Sequence, residues 1–70
     1  MIPLSMADAG SPQIVRKIGG LPAVRQHLET LGFHVGGEVM IVSTLAGNLI
    51  VKVKESRVAV DEALARKIMV

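Results

Sequence analysis

The chain has 70 residues, a formal net charge of +2 and 50% apolar residues, with a single aromatic residue and no cysteine. That length leaves room for one small domain, residues 1–70, whose core stays modest, because a chain of this size buries only about 60% of the surface its unfolded form exposes. The absence of cysteine excludes a disulfide framework and a thiolate metal centre, and apolar runs of four or five residues fall far short of the ~20 that cross a bilayer as a helix.

The N-terminal stretch MIPLSMADAGSP lacks the basic start and continuous apolar middle of a secretory signal, so an intracellular location is expected. Met1 to Met6 is apolar with a proline at position 3, which suits an edge strand or an extended lead-in. Ala7 to Pro12 reads as a turn. Gln13 to Ile18 reads as one strand, with Ile14, Arg16 and Ile18 on one face and Val15 and Lys17 on the other. Gly19 and Gly20 end it.

Pro22 suits the first turn of a helix, where a missing N–H costs nothing. Val24, Leu28 and Leu31 then follow at spacings of four and three and form one apolar stripe, with Arg25, Gln26 and Glu29 off it. Gly32 stands where the helix needs a residue at positive φ. Counting back from it, Leu28 and Phe33 are the two residues that make the hydrophobic contact of a Schellman stop. Gly36 and Gly37 turn the chain into the longest strand-like run.

That run, Glu38 to Thr44, is apolar on both faces: Val39 and Ile41 on one, Met40 and Val42 on the other. Leu45-Ala46-Gly47-Asn48 reads as a turn. In Leu49 to Lys54, Leu49, Val51 and Val53 alternate with Ile50, Lys52 and Lys54, the second set outward. Glu55-Ser56 is a tight connection to a short strand, Arg57 to Val60. Asp61 is placed to cap a final helical turn, Ala63 to Lys67, with Glu62 at its positive end. Ile68 to Val70 is expected to return as a last strand. Five or six short strands with one α-helix and a short C-terminal helical turn predict a mainly β protein, a small closed β-barrel.

Candidate chemistry is sparse. The carboxylates of Asp8, Glu29, Glu38, Glu55, Asp61 and Glu62 fall in turns, helix ends and strand starts, and no serine has a histidine in a recognisable nucleophile motif, so catalysis is not expected. His27 and His34, with Glu38, are the only candidates for a weak metal site; the expectation is no metal and no other cofactor. Gly19-Gly20 precedes a helix without the Gly-Lys-Ser/Thr of a phosphate loop. Lys52 and Lys54 share a face, with Arg16 and Lys17 as potential neighbours, but the chain lacks the aromatic platforms of single-strand nucleic-acid binders. Met40, Val42, Leu45 and Ile50 are candidates for an exposed apolar patch.

Taken in order, these residues resemble the family of ferrous iron transport protein A (FeoA). The most specific stretch is Leu28-x-x-Leu31-Gly32-Phe33-x-x-Gly36. Ile14 to Gly20 resembles the family's strand ending in Gly, with Gly10 at its first turn. Val39 to Val42, Gly47, Leu49 to Val53, and Val58-Ala59-Val60 through Ala65-x-x-Ile68-x-Val70 follow in family order. Two positions depart from the pattern: Ala46, where a proline often precedes the turn glycine, and His27, where a basic residue is common.

The resemblance implies an SH3-like barrel and a non-enzymatic cytoplasmic accessory role in ferrous iron uptake. The partner it implies is the cytoplasmic GTPase region of the permease ferrous iron transport protein B (FeoB), with the membrane reached only through that permease. On this reading the candidate partner-binding residues are Arg25 and Glu29 on the helix and Leu45, Ala46, Gly47 and Asn48 in the turn. Self-association stays open. Competing readings are a direct Fe(II) sensor or chaperone, a nucleic-acid-binding barrel, and the SH3-like module that ends some iron-dependent repressors. The last is not favoured, since these residues hold no helix-turn-helix and no metal-ligand cluster.

Overall fold

The computed structural model describes residues 1–70. Six strands and two helices occur in the order β1 (Gln13–Ile14), β2 (Lys17–Ile18), α1 (Pro22–Leu31), β3 (Glu38–Leu45), β4 (Asn48–Val53), β5 (Ser56–Asp61), α2 (Glu62–Ala65) and β6 (Ile68–Met69). The strands form two sheets, not the single closed barrel expected. One is four-stranded in the order β1-β3-β4-β5, and the other pairs β2 with β6.

The division arises at Val15-Arg16. Val15 donates to Gly37 O and accepts from Gly36 N–H, whereas the Arg16 N–H donates to Met69 O. The chain therefore leaves one ladder and enters the other within two residues, and the single strand expected from Gln13 to Ile18 is split. The inward residue of this segment is Val15, which is buried, while Ile14 is exposed. Leu4–Met6 is a single 3-10 turn. Beside it Ile2 and Val70 exchange two backbone hydrogen bonds of 2.9 and 2.8 Å, so the two ends of the chain are tied together.

Helix α1 forms as its pattern requires. Pro22 opens it, and Gly32 ends it at φ 110°. The Gly32 N–H donates to Glu29 O and the Phe33 N–H to Leu28 O, at 2.9 and 3.0 Å. That pair of bonds is the Schellman stop. A Cβ on Gly32 would sit 3.1 Å from Val53 Cγ1, so glycine also lets the helix end press against β4. Leu28 and Phe33 are both fully buried.

Strands β3, β4 and β5 form a meander joined by two-residue turns. The first turn, Ala46-Gly47, has φ of 50° and 83° between the paired residues Leu45 and Asn48. Positive φ at both central residues fits the strand twist of a hairpin. Between Ile41 and Ser43 the register of β3 against β4 shifts. Val42 is the extra residue of a bulge, and strict alternation stops there. Along β4, Leu49, Val51 and Val53 point inward as expected.

The core is thirteen residues, all apolar, drawn from both sheets, both helices and both termini. Phe33 is its largest member, and Leu4, Val15, Leu28, Val51, Ala65 and Ile68 are fully buried in the same cluster. Asp61 caps α2, its Oδ1 accepting from Leu64 N–H at 2.7 Å. The helix stops at Ala65, two residues short of the expected Lys67: the Lys67 N–H donates to Leu64 O, a tightened last turn, and Lys67 O accepts from the Gly19 N–H at 2.7 Å as the chain enters the β2–β6 ladder.

Candidate interaction surface

No polar or charged side chain is buried. The side chains that hydrogen-bond do so over short sequence distances: Gln13 to Ser11, Thr30 to Gln26 O, Asp61 to Leu64 N–H, and Arg66 to Glu62. Such groups lack the dry, convergent setting in which acid-base or nucleophilic chemistry gains its advantage.

The residues singled out from the sequence lie at different ends of the sheet. Arg25 and Glu29 are exposed on one side of α1. The last turn of that helix is fixed beside Val53 through Gly32. The Ala46-Gly47 turn caps the opposite end of β4, where Gly47 O accepts from the Glu62 N–H at 3.1 Å. The ends of β4 are five residues apart, about 17 Å of strand. The turn and the end of α1 near Glu29 are thus separate surfaces.

Beside the turn lies a groove of ≈ 250 Å³ lined by Ser5, Thr44, Gly47, Asn48, Leu49 and Glu62. Leu45 stands next to it, 70% exposed. Of the other candidates for an apolar patch, Met40, Val42 and Ile50 are half-buried. His27 and His34 are exposed, and no three side chains of His, Cys, Asp or Glu gather into a group that could hold a metal ion.

A second groove, of ≈ 290 Å³, lies at the other end of the sheet and is lined by Glu38, Val39, Met40, Lys52 and Lys54. The cross-strand partners here are Met40, Lys52 and Arg57, one row on one face of three adjacent strands. Arg16 and Lys17 are not in this row; they belong to the segment paired with β6. Arg57 is the residue that reading along the sequence missed. Its only sequence signal was the hairpin register, which sets Arg57 opposite Lys52.

The chain is a small mainly β domain of two sheets, with its charges outside and a wholly apolar core. The FeoA domain family matches residues 2–70, and the chain belongs to that family. It is 34% identical over 70 residues, all of this chain and 85% of the other, to the Fe(2+) transport protein A named in Methanocaldococcus jannaschii. Its fold is similar to the crystal structure of an iron uptake regulatory protein, FeoA, with a TM-score of 0.89 and 31% identity over 97% of this chain and 90% of that one. It is also similar to FeoA of Stenotrophomonas maltophilia, solved with zinc and described as a prokaryotic SH3 domain protein. There the TM-score is 0.86 and the identity 25%, over 99% of this chain and 88% of that one. The fold is therefore SH3-like, with its strands divided between two ladders.

Proposed function

We propose that this chain is a cytoplasmic accessory protein of ferrous iron uptake that docks on the nucleotide-binding region of a FeoB-type permease and modulates transport. The observation that carries the reading is family membership over residues 2–70 in a chain whose polar side chains are all at the surface. A protein with that distribution acts through what it touches. Direct Fe(II) binding as the main role has less support, because His27, His34 and Glu38 do not gather into one group and a stable site takes three or four ligands.

The test is an amide-shift titration of the labelled chain with the soluble nucleotide-binding region of the permease, first with GDP and then with a GTP analogue. Localised, saturable shifts in at least one nucleotide state are expected. Spectra unchanged in both states, up to a large excess of the permease region, overturn docking on that region.

A further inference from the structure

Strand β5 is the outer strand of its sheet. In an antiparallel ladder, alternate residues turn both backbone groups toward one neighbour, and the residues between turn theirs away. The backbone groups of Ser56 to Val60 bond only within the β4–β5 ladder; none appears among the hydrogen bonds made outside regular elements. The side of β5 away from β4 is therefore an open edge. It contains no proline, and its register against β4 is continuous over six residue pairs, Asn48↔Asp61 to Val53↔Ser56. Proline, bulges and covering segments are the usual devices that block such an edge. Here Ser56, Arg57 and Ala59 are exposed.

Three cations lie at the Ser56 end of this strand, while Asp61 at its other end is engaged in capping α2. Lys52 and Arg57 are direct cross-strand partners, an arrangement that opposes folding locally. Lys54 lies in the adjoining turn at φ 56° and lines the same groove as Lys52. The one ion pair in the molecule joins Arg66 to Glu62, so none of these three cations has a carboxylate within 4 Å. Glu38 forms part of the groove wall and Glu55 sits in the turn, neither paired with them. Two cations set opposite each other without a counter-charge gain from an anion delivered by a binding partner. Half-buried Met40 in the same row adds apolar surface, which favours a polypeptide over a nucleic acid as the source of that anion.

We propose that β5 is the docking edge, and that its occupant is an extended acidic segment of the partner protein, added as a fifth strand with a carboxylate opposite Arg57 and the Lys52 ammonium one strand further in. Main-chain bonds would supply affinity and the cation row would set register. The placement of this edge on the permease rests on the docking proposed above; the chemistry of the edge does not.

Two probes separate these. One is the soluble nucleotide-binding region of the permease. The other is a synthetic peptide of alternating valine and glutamate, with a valine–lysine peptide as control. The measurements are amide shifts and hydrogen exchange on the full chain and on the charge variants Arg57→Glu and Lys52→Glu. Both sites are exposed, and an unchanged amide spectrum away from β5 verifies the fold of each variant. With either acidic probe, alternate amides of Ser56 to Val60 are expected to shift and to exchange more slowly. Each variant is expected to weaken binding about tenfold, and added salt to weaken it further. The valine–lysine peptide is expected not to bind.

Saturable binding of the permease region with shifts away from β5, or with affinity unchanged by both variants, overturns the edge assignment and leaves the docking intact. Binding of the valine–glutamate peptide at β5 without any binding of the permease region supports the edge and overturns the docking. If neither probe binds, both fall. Concentration-dependent shifts at β5 without any probe, persisting in Arg57→Glu, overturn the acidic occupant in favour of a second copy of the chain.

Discussion

Ala46 occupies the left-handed region at φ 50°, where an L-residue with a Cβ is strained by about 1–2 kcal/mol. Its side chain is exposed, so no packing compensates. Proline is held near φ −65° and could not adopt this conformation. Asparagine tolerates it, and Asn-Gly is the favoured pair for a two-residue hairpin turn. Ala46→Asn is therefore expected to raise stability by about 1 kcal/mol, read as a higher urea midpoint at unchanged slope. A lowered midpoint would mean that the hairpin uses another turn geometry in solution. Residue-scale features of this kind are unevenly legible. Gly32 and Phe33 could be placed from spacing alone, because a Schellman stop fixes both positions relative to the last helical stripe. The strain at Ala46 could not, since alanine carries no turn signal and only the pairing of Leu45 with Asn48 forces its backbone to turn.

At the scale of elements, local chemistry was enough wherever one short segment decides its own fate. Pro22 and Gly32 bound α1 where expected, and Asp61 caps α2. Helix α2 has only four residues, too few to persist on propensity, and it depends on that cap and on buried Ala65. Asp61→Ala is expected to cost about 1 kcal/mol. Asp61→Asn retains an acceptor for the Leu64 N–H and is expected to recover most of the loss, both read by thermal or urea unfolding. Equal losses in the two variants would show that charge, and not the hydrogen bond, is what matters. Elements set by distant partners were harder to read. The stretch from Gln13 to Ile18 alternates like one strand, yet it divides because Gly36 and Gly37 bond it on one side and Met69 on the other. The bulge at Val42 is likewise invisible in an unbroken apolar run. It appears only when β3 is laid against β4.

Over the whole molecule, the candidate site follows the same division. That Lys52 points outward could be read from alternation in β4. That β5 is an edge depends on the sheet order, and that Arg57 faces Lys52 depends on register; neither is a property of any local stretch. The two ladders share one core, and this sharing has a consequence for cooperativity. Leu4, at the N-terminal end, is fully buried in the same cluster as Val70, Ile68 and Phe33, and the Ile2–Val70 bonds hold it there. A chain of this size has a total stability of only about 4–10 kcal/mol, and truncating one buried leucine to alanine typically removes about 2–5 kcal/mol. Leu4→Ala is therefore expected to remove a large part of the stability while unfolding stays a single transition. Urea unfolding followed by far-UV circular dichroism supplies the midpoint. Hydrogen exchange supplies the extent: in the variant, the amides of β4, remote in sequence from Leu4, should lose protection by as much as that of Val70. If only Val70 and its neighbours lost protection while β4 kept its own, the β2–β6 ladder and the chain ends would form a separate unit that opens independently of the four-stranded sheet. The single core cluster argues for one unit, because Leu4 from the 3-10 turn, Ile68 from one ladder and Val51 from the other are all buried in it together with Phe33.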